Sequence, residues 1–356
     1  MKGKIGFIAI GQAGGNIGKL FEEKGFTVLY INTSQEDLQT LKNTKYTYHI
    51  ADGEGCNKDR DKAKKLVADD FENISSQIYE KLDVSMVFCI FASGGGTGSG
   101  CGPMLIDLLL ADRAAGHRIE SVGAITVMPD ENESPKAHIN SYECFAELTE
   151  IEDIASVMII DNANGDKLSL NRCLVNSFHD FLEIPQRHKD ERGNIDRSEI
   201  EETLKAKGMT VITEIPVKDS TTAAVLESFK KSIFAPIEQD RVIKYITISI
   251  AGSVDVDAMK KEIGVPLDVF MTYNEKATIC CLSGLNYPKT RLEDIYKKAV
   301  EHQDLILKNL QATSSSDMKK DVNFLVQAKE QVTPKVPIEK PSRRDLMKKY
   351  MGEKCR

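Results

Sequence analysis

Glycine loses more backbone freedom on folding than any other residue, so a dense run of it needs a physical reason. This chain places five glycines within ten positions, at Phe91-Ala92-Ser93-Gly94-Gly95-Gly96-Thr97-Gly98-Ser99-Gly100, directly after the apolar run 84–92 and before a helical pattern. About eighty residues earlier, Ile8-Ala9-Ile10-Gly11-Gln12-Ala13-Gly14-Gly15-Asn16-Ile17-Gly18 has the same setting, between an apolar run and a helix. Both stretches put bare backbone amides at a helix N-terminus, where the unpaired N–H groups and the helix dipole favour an anion such as phosphate. For the earlier stretch alone, tight strand-to-helix packing accounts for the glycines as well. The density of the later one calls for a ligand that needs close backbone approach.

The segments around these stretches alternate. Apolar runs at 5–10, 27–32, 84–92, 121–128 and 156–161 are separated by helical patterns at 14–24, 59–82, 103–115 and 137–150. Repeated strand–helix alternation predicts an α/β fold with a parallel sheet covered by helices on both faces. Residues 168–184 carry Leu168, Leu170, Leu174, Val175, Phe178, Phe181 and Leu182 at helical spacing, with Pro185 expected to end the helix. Beyond this central helix, runs at 209–216, 222–234, 243–251, 257–263, 269–273 and 278–284 predict a smaller α/β unit, with Asn274-Glu275-Lys276 as the turn of a hairpin between its last two strands. A long helix is expected over 289–310, with a resumption at 317–331, then a Pro- and Lys/Arg-rich end expected to be mobile apart from a short helix at 345–351.

Composition narrows the function classes. At 356 residues, with 41% hydrophobic and 28% charged residues, the chain has the make-up of an ordinary globular protein of about two domains. No charged-then-apolar leader opens it and no apolar stretch reaches the length of a bilayer span, so a cytoplasmic protein without membrane contact is expected. The eight cysteines form no C-x-x-C pair and read as reduced thiols. The net charge of −7 conceals a basic end: residues 335–356 hold eight Lys/Arg against three Asp/Glu. That end would suit an acidic partner, or simply be solvated.

Two common nucleotide signatures fail. A P-loop ending at Gly18-Lys19 would need its leading glycine at Ala13 and a magnesium-holding Ser/Thr at Leu20. A dinucleotide fingerprint would need glycine at Ala13 and an acid where the second strand ends in Asn32, which argues against a nicotinamide-dependent oxidoreductase.

The residues instead resemble the tubulin/FtsZ family. Gly11-Gln12-Ala13-Gly14-Gly15-Asn16-Ile17-Gly18 is similar to its first nucleotide loop, and Gly94 to Gly100 with Ser93 to its fourth. Ile31-Asn32-Thr33 resembles the loop after the second strand, and Asp52-Gly53-Glu54-Gly55-Cys56-Asn57 the loop around the terminal phosphate and magnesium. The resemblance implies GTP/GDP as ligand with Mg2+, the ion being met by Gln12 and, through water, Asp52 and Glu54. It implies that Asn16, Asn162 and Asn171 read the guanine base and that Glu133 sits on the ribose side. The Arg that follows that Glu in FtsZ is replaced by Ala137, with Lys136 as the substitute. Gly193-Asn194-Ile195-Asp196-Arg197-Ser198-Glu199 resembles the seventh loop, which in the family enters the neighbouring subunit's site. Asp196 and Glu199, supported by Asn194, are then the catalytic residues of a polymerisation-activated GTPase. The same stretch is also an ordinary helix-capping arrangement, and the two roles can coexist.

On this resemblance the chain divides into a GTP-binding domain (1–167), a central helix (168–185), a seventh loop with activation domain (186–288), a C-terminal helical extension (289–331) and a flexible basic tail (332–356). The basic end, unlike the acidic C-terminus of tubulin, resembles the plasmid- and phage-borne branch, TubZ. That implies head-to-tail filaments that segregate DNA indirectly, the tail engaging a DNA-binding centromere adaptor. An FtsZ-like cell-division GTPase and a non-hydrolysing nucleotide-binding scaffold are the alternatives.

Overall fold

The structure, a computed structural model, describes residues 1–114, 116–238, 243–312, 345–346 and 349–350. Strands and helices alternate along its first half: β1 (Ile5–Ile10), α1 (Gly11–Glu23), β2 (Thr27–Asn32), α2 (Gln35–Thr40), β3 (Tyr46–His49), α3 (Arg60–Lys81), β4 (Met86–Ala92), α4 (Thr97–Ala114), β5 (Ser121–Met128), α5 (Pro135–Glu150) and β6 (Ser156–Asp161). The central helix α6 (Lys167–Arg187) leads through the two-residue strands β7 (Lys189–Asp190) and β8 (Gly193–Asn194) to α7 (Arg197–Lys205). The remainder is β9 (Gly208–Pro216), α8 (Thr222–Lys230), β10 (Tyr245–Ile250), α9 (Val256–Ile263), β11 (Asp268–Tyr273), β12 (Ala277–Leu285) and α10 (Lys289–Ala312).

Ten strands form one sheet in the order β11-β10-β12-β9-β6-β5-β4-β1-β2-β3. From β3 to β6 all pairings are parallel, and apart from the half-buried edge strand β3 the strands are buried over nearly their whole length, which explains their continuous apolar runs. The expected smaller unit does not carry a separate sheet: β9 joins β6 in parallel at Ser156–Gly208 and Val157–Met209, so the sheet runs through both halves. The expected hairpin is absent. β10 lies between β11 and β12, parallel to the first and antiparallel to the second, so the turn at Asn274 spans an intervening strand. Local turn chemistry suits a short connection but cannot say whether a third strand will be inserted between the two it joins.

Strand order reverses at β1, whose neighbours are β2 and β4. Right-handed crossovers therefore send α1 and α3 to opposite faces of the sheet. α6 packs against α1 through a buried aromatic cluster: the Phe7 and Phe21 rings stack at 3.9 Å, and Phe178 meets Phe7, Phe21 and Phe88 edge-on at 5.5–5.9 Å. Such contacts contribute about 0.5–1.5 kcal/mol each beyond burial and fix the position of the helix on the sheet. Pro185 does not end α6, which continues to Arg187; in the final turn a missing N–H costs one hydrogen bond, and the Ile184 carbonyl is taken by the His188 N–H at 2.9 Å. The expected resumption at 317–331 and Cys355 lie outside the described residues. So does most of the basic end, and the four of its residues that are described sit against the body of the protein.

Candidate functional site

In an open parallel sheet, loops leaving neighbouring strands on either side of the order reversal diverge and leave a crevice at the strands' C-terminal ends. Here the reversal falls between β1 and β4; the first glycine stretch, Gly11–Gly18, forms the opening turns of α1 directly after β1, and the second runs from the short loop after β4 into α4. A cavity of about 350 Å3 opens between them. It is lined by Ile10, Gly11, Gln12 and Ala13, by Gly95, Gly96, Thr97 and Gly98 with Ala92, by Gly55, Cys56, Asn57 and Lys58, and by Ser34 and Asp37. The volume lies within the range of small-molecule sites, and α1 and α4 both begin at its wall.

Two glycines show why the sequence is so sparse in side chains here. A Cβ on Gly14 would stand 2.3 Å from the Ile90 carbonyl oxygen, so α1 rests directly on the β4 backbone. A Cβ on Gly96 would meet the Lys58 backbone at 2.8 Å, closing the loop after β3 against the loop after β4. The packing explanation therefore holds for Gly14, while Gly11, Gly55, Gly95, Gly96 and Gly98 face the cavity itself.

Several predicted residues stand behind the wall. Gly14, Gly15, Gly53, Gly94 and the side chains of Asn32, Ser93 and Ser99 shape the loops without lining the cavity. Ser93 is fully buried and donates to the Val127 carbonyl at 2.9 Å, while its hydroxyl pairs with Ser141 at 2.8 Å. The Ser99 hydroxyl donates to the Gly95 carbonyl. Asn32 accepts the Ser34 N–H and donates to the Asp37 carboxylate, both at 3.2 Å. These side chains are occupied in holding backbone, which is how a glycine loop keeps one shape without a ligand.

The expected ion-side residues are not gathered together. Asp52 and Glu54 are exposed and outside the lining, whereas Gln12 and Asp37 line it. Among the described residues no group of three or more His, Cys, Asp or Glu could hold a metal. One amide and one carboxylate suit a hard divalent cation that keeps most of its shell as water and phosphate oxygen, the usual manner of Mg2+ beside a nucleotide.

Besides Ser34 and Asp37, Lys58 and Asn140 are residues that sequence reasoning missed. Lys58 is the cation of the lining; its ammonium donates to the Ser134 hydroxyl at 2.7 Å, and its backbone is left-handed at φ +58°, after Asn57 at +45°. Asn140, buried on α5, donates to the Lys58 carbonyl at 3.0 Å and the Gly95 carbonyl at 2.8 Å, tying two loops together. Lys136 reaches the Asn57 carbonyl at 3.2 Å and so serves the loop after β3. Glu133 pairs instead with Lys167 at 2.8 Å, at the first residue of α6; that hydrogen bond, ahead of the opposing desolvation, raises the Lys167 ammonium above its ordinary value.

The three expected base-reading residues are Asn16, exposed one helical turn beyond Gln12, Asn171 on the second turn of α6, and Asn162 just after β6. Among the described residues nothing pairs with the buried Asn162 Oδ1. An orphaned buried acceptor costs about 1–3 kcal/mol, which a ligand N–H would recover. Beside it, buried Asp161 is gripped by Arg291 of α10, with Nε to Oδ2 at 2.5 Å and Nη2 to Oδ1 at 3.0 Å; Arg291 also holds the Pro129 carbonyl at 2.9 Å.

The candidate catalytic carboxylates lie at the other end of the molecule. Asp196 is the N-cap of α7: its Oδ1 accepts from the Ser198 and Glu199 N–H groups at 2.8 and 3.0 Å, and Glu199 returns a bond to the Asp196 N–H at 2.7 Å. The capping reading of this stretch is thus realised. Asp196 is exposed, and hydrogen bonds from the Ser198 hydroxyl and the Glu199 N–H hold its carboxyl below the ordinary value. α7 packs along the N-terminal edge of the parallel strands, where Lys4, next to β1, pairs with Glu201 at 2.5 Å. The cavity is on the C-terminal edge, and α6, with 21 residues at about 1.5 Å each, spans roughly 30 Å from one edge to the other.

Residues 4–168 match the tubulin/FtsZ family GTPase domain, and residues 199–286 match the C-terminal domain of tubulin-like protein TubZ. A tubulin-like protein TubZ of Clostridium botulinum C phage is 35% identical over 301 residues, 82% of each chain. A tubulin-like protein CetZ of Pyrococcus abyssi is 32% identical over 166 residues, 44% of this chain and 43% of that one. Among solved structures, the crystal structure of Clostridium botulinum phage c-st TubZ superposes with a TM-score of 0.77 at 30% identity, covering 86% of this chain and all of that one. A GTPγS-form protofilament of Bacillus thuringiensis serovar israelensis TubZ shares the fold, with a TM-score of 0.73 at 16% identity over 88% and 94% of the two chains.

Proposed function

Because this chain belongs to the tubulin/FtsZ family, on its TubZ branch, we propose that it forms head-to-tail filaments in which each subunit's GTP is hydrolysed by acidic residues of the next, in the service of plasmid or phage DNA segregation. The observation that carries the reading is the separation just described. A glycine-walled cavity and a pair of carboxylates, exposed Asp196 and half-buried Glu199, occupy opposite edges of one sheet, so they meet only when one subunit stacks on another.

In such a stack the amides around Gly11 and Gly95 to Gly98 hold the phosphates, Lys58 adds a positive charge, and Asn16, Asn162 and Asn171 read the base. Mg2+, when bound, would neutralise phosphate charge, with Gln12 and Asp37 as its nearest donors. Phosphoryl transfer to water asks little covalent work of the protein beyond clamping the anion and orienting the water. Asp196 fits that role as an acceptor: a carboxyl already held below its ordinary value is a poor proton store but a good orienting group. Half-buried Glu199 follows in the first turn of α7, and exposed Asn194 precedes it at the end of β8.

GTP turnover per subunit, followed with light scattering against protein concentration, tests this. Turnover and scattering should rise together above a threshold, with ATP inert. Asp196→Asn, which keeps an N-cap acceptor, should assemble yet turn over GTP at least about a hundredfold more slowly. Turnover that is independent of concentration and survives the substitution would sink the trans-subunit mechanism and favour the non-hydrolysing scaffold. For the segregation role, filaments should cosediment a small DNA-binding adaptor together with its repeat DNA through residues 335–356. Equal cosedimentation by a chain lacking those residues would remove the tail from that role.

A further inference from the structure

Where α4 meets the end of α5, the groove on the outer surface and the chain's own C-terminal segment together bound a space of about 230 Å3, remote from the nucleotide cavity. On the body's side it is lined by Leu110, Ala111 and Ile151, and around these by the charged Asp107, Arg113, Glu150, Glu152 and Asp153. The chain's own C-terminal segment forms the facing wall, with Asp345, Leu346 and Lys349. Leu346 is 3% exposed and belongs to the same buried apolar cluster as Leu110 and Ile151. The Lys349 ammonium lies 3.5 Å from Asp107 and 3.6 Å from Glu150. The Tyr350 hydroxyl donates to Asp107 at 3.1 Å, and its ring lies under the Lys64 ammonium, 5.8 Å from the centroid. Leu346, Lys349 and Tyr350 are spaced as neighbours on one helical face, and 345–346 and 349–350 are helical.

We propose that the α4–α5 groove is a docking site for this chain's own C-terminal segment through Leu346, Lys349 and Tyr350, a retractable clasp that withdraws the basic end of the chain from outside partners while it is seated. The fit is specific at three points: an apolar anchor on an apolar floor, a cation between two carboxylates, and a phenol on one of those carboxylates. Reach does not select the site. The 32 residues between Ala312 and Asp345 could extend roughly 100 Å, so the groove is chosen by complementarity. The clasp is small and partly electrostatic, hence reversible and weakened by salt. Its seated form occupies Lys349, one of the charges that an acidic partner would otherwise meet.

Hydrogen–deuterium exchange on the full-length chain, at concentrations too low for light scattering, tests the proposal. Amides of 345–350 and of the groove segments 104–112 and 148–153 should be protected together. Leu346→Asp, a change in the tail that leaves the body's packing untouched, should raise exchange in both places by at least about tenfold. Asp107→Lys should do the same, and adding Lys349→Asp to it should restore protection. The proposal is overturned if the wild-type tail exchanges as a free peptide, or if Leu346→Asp leaves the groove unchanged. It is equally overturned if protection appears only as concentration rises, since the groove would then bind a second copy's tail.

Discussion

Lys58 is held by its neighbours in a backbone conformation that non-glycine residues avoid, at a cost of order 1–3 kcal/mol, and such strain persists where the surroundings insist on it. Asn140 supplies that insistence by fixing the Lys58 carbonyl. Lys58→Ala should weaken GTP more than GDP by about tenfold, the worth of one charge-assisted contact to the terminal phosphate; titration with fluorescent analogues of both nucleotides measures the ratio, and equal losses would place the lysine elsewhere. Gly14→Ala should destabilise by about 3 kcal/mol or prevent folding, because the new methyl has a carbonyl 2.3 Å away, and the urea midpoint reads it. The glycines were legible in the sequence because glycine has few other uses at such density. Lys58 was not, since a lysine on a polar loop looks the same whether it faces solvent or a cavity.

α10 is bolted to the end of β6 through Arg291 and Asp161, both nearly buried. Arg291→Ala should cost about 3–5 kcal/mol, since it leaves a carboxylate buried without its partner, and should weaken nucleotide binding through the adjacent Asn162; an unchanged urea midpoint would contradict the first expectation. α7 poses a different problem, because Asp196 caps the helix and, in the proposed mechanism, is also offered to a neighbour. Asp196→Ala mixes the two effects, with about 1 kcal/mol of lost capping, whereas Asp196→Asn should leave stability within about 0.5 kcal/mol and remove only the charge. Comparing the two by denaturation and by GTP turnover separates cap from catalyst. Periodicity made five of the six strands from β1 to β6 visible; β3 passed unnoticed because Tyr46–His49 is short and only half-buried, and α2 because it has only six residues. The supposed hairpin failed for a related reason: strand adjacency is decided by what the sheet can bury, not by the turn.

Acid should loosen the whole molecule before the carboxylates titrate. Burial, then the nearby Arg187 and Lys276 charges, hold the His188 imidazole below its ordinary value of 6.5; burial also lowers His138. As pH falls, the unfolded chain takes up these protons first, so this part of the stability is complete above about 6.5 and declines as pH drops from there through the lowered folded values. Urea midpoints should be level between pH 7 and pH 8 in order of magnitude terms (about a unit above the unfolded value) and fall towards pH 5.5, roughly a unit below it, with a shallower fall in His188→Asn. A flat acid limb would show that neither imidazole stays neutral in the folded state. By itself the sequence determined the alternation of strand and helix, the two glycine loops and the family they resemble, because periodicity and glycine density are local and survive without knowledge of partners. Only the tertiary structure decided that the sheet runs unbroken through β6 and β9, that Asp37 and Lys58 line the cavity in preference to Asp52 and Glu54, and that the C-terminal Leu346 and Lys349 fold back onto α4 and α5. Each of those outcomes depends on which surfaces are brought within a few ångströms by chain far away in sequence, and no local pattern encodes that choice.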